Sequence, residues 1–349
     1  FQIPRPNKPL AEELSALAAI TFVAFLNQHS LTDPQLRWYL DYCCRDDYGA
    51  GIEVVSAWAG IHYFASRHGF ALPGDSETDK GGVLTWPDGN AFLTRALIRP
   101  CADRVRTGML VLRIAQVKGG VEVDAYNAST QGVERWQAAR CIVALPVFIA
   151  ARVVENPPAF LVDTAARTRY ASWLVANLHI NAPLIDREGA APAWDNVIYG
   201  STGLGYVDAM HQSLAPVPGA MVLTYYKALG IEASARRALQ ERPWSAWHDE
   251  ITGELQAPHP DLPRKLQQIN ITRYGHAMAV PTPGSDAGFL SQRGLLPTYS
   301  LRKQLSKAER YTPRFTPQTE HLRFAHSDWS GYSVLEEAFV RGWHAGWRF

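Results

Sequence analysis

Apolar and polar residues change period several times along this chain, and each period predicts a different element. An Ala/Leu-rich segment opens at Pro9-Leu10-Ala11-Glu12-Glu13 and stops near His29-Ser30, which predicts a first helix. Thr32-Asp33-Pro34 supplies an N-cap followed by proline in the first turn, so a second helix should run from there through Tyr42. A third is expected over Ile52 to His68, closed by Gly69 as a C-cap. Ala91 to Ile98 predicts another helix behind a Pro-Asp-Gly turn.

Beyond residue 100 the pattern turns to strands. Met109 to Val117 alternates imperfectly, Lys118-Gly119-Gly120 makes a turn, and Val121-Glu122-Val123 starts a return strand, which predicts a hairpin. Cys141 to Pro146, entered from Arg140, is a continuous apolar run of buried-strand type halted by proline. Tyr170 to Ile180 and Met221 to Lys227 are further β-rich runs, with Trp194 to Met210 between them. Helical patterns return at Ala233 to Glu241 and Trp244 to Leu255. Residues 279 to 318 are rich in Pro, Gly, Ser and Thr and predict ordered loops with one short helix near Leu301 to Lys307. A short apolar strand (Leu322, Phe324, Ala325) then meets a polar corner, His326-Ser327-Asp328. A small-residue turn, Trp329-Ser330-Gly331, leads into a helix beginning near Ser333.

With 349 residues, 47% hydrophobic and 19% charged, the chain is globular and long enough for two domains or one elaborate one. A net charge of +1 argues against nucleic acid or an anionic membrane as partner. Eleven Trp and fourteen Tyr suit aromatic-lined pockets and ordinary cores alike. The cysteines, Cys43, Cys44, Cys101 and Cys141, show no paired spacing, and the histidines show no metal-binding pair, so neither a disulfide framework nor a metal is expected. No G-x-S-x-G elbow is present, which argues against a hydrolase. The best candidate for a membrane span, Leu14 to Leu26, has only helix-core length.

The stretch from Arg323 to Arg348, RFAHSDWSGYSVLEEAFVRGWHAGWR, resembles the pattern FAG-E-(x)-SG-(x)-EGA-(x)-SG that closes flavin amine oxidases and their desaturase relatives. An acid at the strand end, Asp328, suits hydrogen bonds from ribityl hydroxyls, with Ser330 in the turn. Free N–H groups at the next helix start, near Leu335, suit charge on a reduced flavin ring. Lys80 to Asn90 resembles the family's P-x-G-(x)-x-x-L element, which places Trp86, Gly89 and Asn90 beside the ring. Met109 to Ile114, Gly120 to Val123 and Cys141 to Pro146 look like the section V-x-x-I…GV-x-V…AD-x-V-I-x-A-x-P, which implies Val111 against the adenine and Ala144 near the adenosine. Ile271 to Met278 with Pro281 resembles W-x-x-A-x-P, which puts Tyr274 near the flavin and His276 toward the substrate. The middle of the chain is similar to an uncharacterised bacterial branch of the superfamily, and makes His62, Asn177 and Tyr199 pocket candidates.

The resemblance implies an α/β fold, an α+β mixture of two domains with mixed sheet and helices. Residues 1–79 would be the helical part of a substrate domain, 80–155 part of an FAD-binding domain, 156–318 the substrate domain, and 319–349 the closing FAD-binding strand and helix. It further implies non-covalent FAD, a small-molecule substrate and hydride transfer to the flavin, with oxygen or another acceptor reoxidising it. The G-x-G-x-x-G fingerprint is absent, and Gly200 to Gly205 has the wrong spacing. Together with a start at Phe1 and no signal peptide, this leads to the expectation of a C-terminal portion whose N-terminal dinucleotide-binding segment lies elsewhere. Such a portion would expose apolar surface and be prone to associate, for instance as a homo-oligomer. No lysine stands on Trp173 to Ile180 where amine oxidases often carry one, and the paired aromatic cage would fall on Ala277 and Val334. Glu337 replaces a glycine and is expected to crowd the flavin approach. No catalytic residue is assigned on these grounds, and a catalytically silent binding or scaffold protein of the same fold is the competing reading.

Overall fold

The computed structural model describes residues 12–66, 85–185, 189, 193–213, 219–285, 317–331 and 333–346. The first helical stretch divides into α1 (Glu12–Ala18) and α2 (Phe22–Gln28), because the Thr21 side chain caps a fresh start by accepting from the Ala24 N–H. The helix α3 (Pro34–Tyr48) begins as expected, with Asp33 accepting from the Leu36 N–H at 2.8 Å. It continues past Tyr42 and ends on Gly49 at φ 76°. The helix α4 (Ala57–Ala65) is shorter than its apolar pattern, since the Ile52 N–H is bound by Asp41 and Ser56 is the true N-cap. Gly69, its expected cap, lies outside the described residues, as does the helix expected near Leu301. The helix α5 (Ala91–Ile98) forms where expected and buries no side chain.

The expected hairpin is present as β1 (Met109–Val117) and β2 (Gly120–Asn127), extended by a third strand, β3 (Gly132–Ala138), that its polar sequence does not announce. Pro146 stops the next apolar run after a short β4 (Cys141–Val143), and α6 (Val147–Val153) and α7 (Ala159–Arg167) follow. The largest sheet is antiparallel. Its central strand, β5 (Arg169–Ile180), lies between β8 (Met221–Gly230) and β9 (Leu266–Val280), with β6 (Asp195–Asn196) and β7 (Tyr206–Asp208) beyond β8. On one face Leu174, Ala176 and Leu178 bury against Trp247, Ile251 and Leu255 of α9 (Trp244–Gln256). The helices α8 (Ala233–Glu241) and α10 (Leu262–Lys265) flank this core.

The strand β10 (Leu322–Phe324) pairs parallel with β4, Leu322 opposite Cys141 and Phe324 opposite Val143. One apolar core encloses this ladder, joining Ile114 and Val121 of the hairpin, Val147 of α6, Leu161 of α7 and Trp329. Sequence blocks far apart thus close on one another. A one-turn 3-10 helix (Ser327–Ser330) and α11 (Leu335–Gly346) follow.

Two glycines test the backbone account. A Cβ at Gly49 would sit 2.4 Å from Ala171 Cβ and 2.7 Å from Trp173 Nε1. Gly49→Ala should therefore destabilise by more than about 1 kcal/mol. Gly253 lies within α9, where an added methyl would meet nothing within 4 Å, so Gly253→Ala should stabilise by about 0.5–1 kcal/mol. Urea unfolding midpoints of both variants check the pair.

Candidate functional site

Asp328 stands where the parallel ladder ends, and it is 4% exposed. Oδ2 accepts the backbone N–H of Val147 at 3.0 Å, at the start of α6. It also accepts the Tyr170 hydroxyl at 2.6 Å, from the start of β5. Oδ1 lies 3.1 Å from Nδ1 of His326, which also lies 3.2 Å from the Asp328 N–H. One nitrogen cannot both accept and donate, so Nδ1 either takes the Asp328 N–H or, when it carries a hydrogen, donates to the carboxylate. Burial works to raise the Asp328 pKa, but His326, the Tyr170 hydroxyl and the Val147 N–H outweigh it and hold it below the ordinary carboxylate value. Burial, then the Asp328 charge, drive the Tyr170 phenol far up, so Tyr170 remains a donor.

Ser330 is buried beside it. Its hydroxyl donates to Glu337 at 2.5 Å and accepts from Arg341 Nε at 2.9 Å. Glu337 and Arg341 lie four residues apart on α11, and both are buried, so the turn and the helix are fastened through their polar side. The Glu337 carboxylate is thereby turned inward rather than into the space ahead of the helix. Leu335 is half-buried in the first turn of α11, Ala144 is exposed just before Val147, and Val111 is half-buried against the core around the ladder.

The other expected site residues fall in separate places. Tyr274 is exposed on β9 opposite Trp173, and Asn177 lies on the same sheet face, accepting the Thr224 hydroxyl at 2.8 Å. A register shift at Ser172 interrupts β9 between Tyr274 and Met278. Past it, His276 stacks on Phe148 of α6 at 4.6 Å and meets Tyr170 edge-on at 5.9 Å. The structure therefore brings Asp328, Ser330, Ala144, Leu335 and His276 into one neighbourhood, and Asn177 and Tyr274 into another. His62 is wholly buried in the helical region, its ring 4.6 Å from Trp58. Tyr199 is exposed and packs on Trp38 at 4.5 Å. Trp86, Gly89 and Asn90 form the turn into α5, where Trp86 stacks on Phe92 at 5.1 Å, and Thr85 bonds Gln212. The preceding glycines, Gly81 and Gly82, lie outside the described residues. Sequence reasoning missed Tyr170 and Arg341, whose partners become visible only when the chain closes.

No family model matches the chain, and no curated protein matches it by sequence. Solved structures do match in fold. Cyclohexylamine oxidase from Brevibacterium oxydans IH-35A superposes with a TM-score of 0.62 at 14% identity, over 95% of this chain and 67% of that one. Putrescine oxidase, wild type bound to putrescine, gives 0.63 at 15% identity over 96% and 68%. A triple mutant of putrescine oxidase from a redesign of cofactor binding gives 0.64 at 14% identity over 97% and 76%. The chain thus has the mixed helix-and-sheet fold of the flavin amine oxidases, as the sequence resemblance implied. Among the described residues no cluster of His, Cys, Asp or Glu could hold a metal ion, and no helix is long and apolar enough to cross a membrane.

The bonds of Asp328 fix a pH dependence. Its folded pKa is depressed, so the stability it contributes is present above the unfolded carboxyl pKa of about 4 and is lost as pH falls through the folded value. Asp328→Asn should cost about 1–3 kcal/mol at neutral pH. The gap between wild type and variant should narrow below roughly pH 5, as read from urea unfolding across pH.

Proposed function

We propose that this chain carries the substrate sheet and the closing strand and helix of an FAD-dependent oxidoreductase that removes a hydride from a small molecule. One observation carries the reading. Blocks 109–146 and 322–330, which resemble the family's adenosine-side and ribityl-side cofactor sections, meet in a single core around a parallel ladder, within an amine-oxidase fold. The donor set at α11 is compatible with the cofactor. Its first-turn N–H groups lack helical acceptors and suit an anionic ring, and Glu337, which would oppose that charge, is turned inward onto Ser330. When bound, FAD would supply the hydride acceptor.

The chain's own residues then have distinct tasks. The main chain at Ala144 and Leu335, with the Val111 side chain, would hold the cofactor without a covalent bond. Asp328 and Ser330 are almost closed off from solvent, and set the shape of the turn instead of reaching outward. The substrate would lie toward the sheet face bearing Trp173, Asn177, Thr224 and Tyr274. Trp173 and Tyr226 stack there at 6.3 Å and would keep water from one end. With no lysine on β5, the face acts by orientation more than by proton transfer.

A strand–glycine turn–helix unit outside this sequence would complete the nucleotide site. The surface of α11 supports this, since the helix buries Glu337 and Arg341 while exposing Phe339 and Trp343. The silent-relative reading draws support from Glu336, an exposed acid in the first turn of α11. The absorbance spectrum of the full-length protein, followed by heat release of any chromophore, separates the two. A flavin double band released as FAD is the expected result. A colourless protein that ignores added FAD would overturn the proposal.

A further inference from the structure

The ring cluster beyond Tyr170 carries an unbalanced positive charge. Arg152 lies one turn after Phe148 on α6, with its guanidinium carbon 6.0 Å from the Phe148 ring centre. Arg236 on α8 donates from Nε to the Gly275 carbonyl at 2.6 Å and from Nη2 to the Tyr170 carbonyl at 2.8 Å. These two backbone bonds hold Arg236 beside His276 and leave its Nη1 without a hydrogen bond among the described residues. Neither Arg152 nor Arg236 pairs with a carboxylate among those residues, whereas Arg113, Arg135 and Arg242 each do.

The interruption of β9 at Ser172 sets the position of His276. Bulges next to sites commonly re-aim a side chain, and this one separates His276 from Tyr274 and stacks it on Phe148. The groups facing the imidazole are Arg152 from α6, Arg236 from α8 and the uncharged Tyr170 phenol from β5. Asp328 lies behind Tyr170, buried and already bonded. Partial desolvation, then Arg236, then Arg152 hold the His276 pKa below the ordinary histidine value, so the field of the described residues around the ring is positive.

We propose that Arg152, Arg236 and His276 form an oxyanion site that takes the phosphate group of a small-molecule ligand. Donors arriving from three separate elements suit a tetrahedral anion better than a planar carboxylate. The site stands apart from the sheet face bearing Asn177 and shares the neighbourhood of Ala144 and Asp328. Its test reads phosphate binding alone, so its failure and the failure of the redox reading are distinguishable.

The test is the His276 titration followed by proton NMR on the intact protein, assigned by loss of its signal in His276→Gln, at constant ionic strength. Inorganic phosphate is the probe, with acetate as the planar comparator. Bound phosphate should relieve the repulsion from the two arginines and raise the His276 pKa saturably, while acetate does so far more weakly. Arg152→Gln, an exposed position that should fold normally, should weaken the phosphate response about fivefold and raise the His276 pKa without phosphate. A titration unmoved by phosphate would overturn the site. Equal responses to acetate and phosphate, or a phosphate affinity unchanged in Arg152→Gln, would overturn it as well.

Discussion

A carboxylate cannot be buried without donors, and this structure is arranged around satisfying one. Asp328 loses its water at the end of the parallel ladder and regains bonds from α6, from β5 and from its own corner. Leaving such a group unsatisfied costs about 1–3 kcal/mol or more. The requirement fixes where the helix after β4 must start and where the large sheet must begin. The part of the chain around the parallel ladder is tied in this way to the part that builds the large sheet. Tyr170 is the tie: its hydroxyl serves Asp328, and its strand runs through the middle of the sheet.

The same economy of polar bonds explains α11. A helix normally buries apolar residues and shows polar ones. Here Glu337 and Arg341 are buried against Ser330, while Phe339 and Trp343 stand outward. The buried trio holds the turn ahead of the helix in one shape, which suits the backbone-lined site proposed there. The large sheet divides its labour similarly. One face is closed by α9 around Trp247, and the other packs Trp173 against the end of α3 and carries Asn177, Thr224 and Tyr274.

Much of this is legible in the sequence, for local reasons. The helices at Ala91, Ala233 and Trp244 begin where their patterns begin, and the Lys118-Gly119 turn marks the hairpin directly. Where expectation fails, a competing hydrogen bond decides. Asp41 draws the Ile52 N–H away from the expected third helix, and Thr21 starts a new helix inside the first. The strand β3 buries no side chain fully and mixes Glu134, Arg135 and Gln137 with Val133 and Trp136, so it lacks the apolar alternation that would reveal it. In the candidate site, Asp328 is legible as an acid at a strand end. Its partners are not, because Tyr170 is 158 residues away in sequence and Val147 contributes only a backbone N–H. The resemblance of this block puts His276 toward the substrate side, and nothing local announces that the interruption of β9 stacks it on Phe148.

The central claim is that the Asp328–Tyr170 bond couples the two halves, and a double-mutant cycle reads that coupling directly. Tyr170→Phe, Asp328→Asn and the double variant are compared by urea unfolding at neutral pH. The account predicts a coupling of about 1–3 kcal/mol, since either change alone leaves a buried group without its partner. Additive effects within about 0.5 kcal/mol would show that the two residues act independently, and would contradict it.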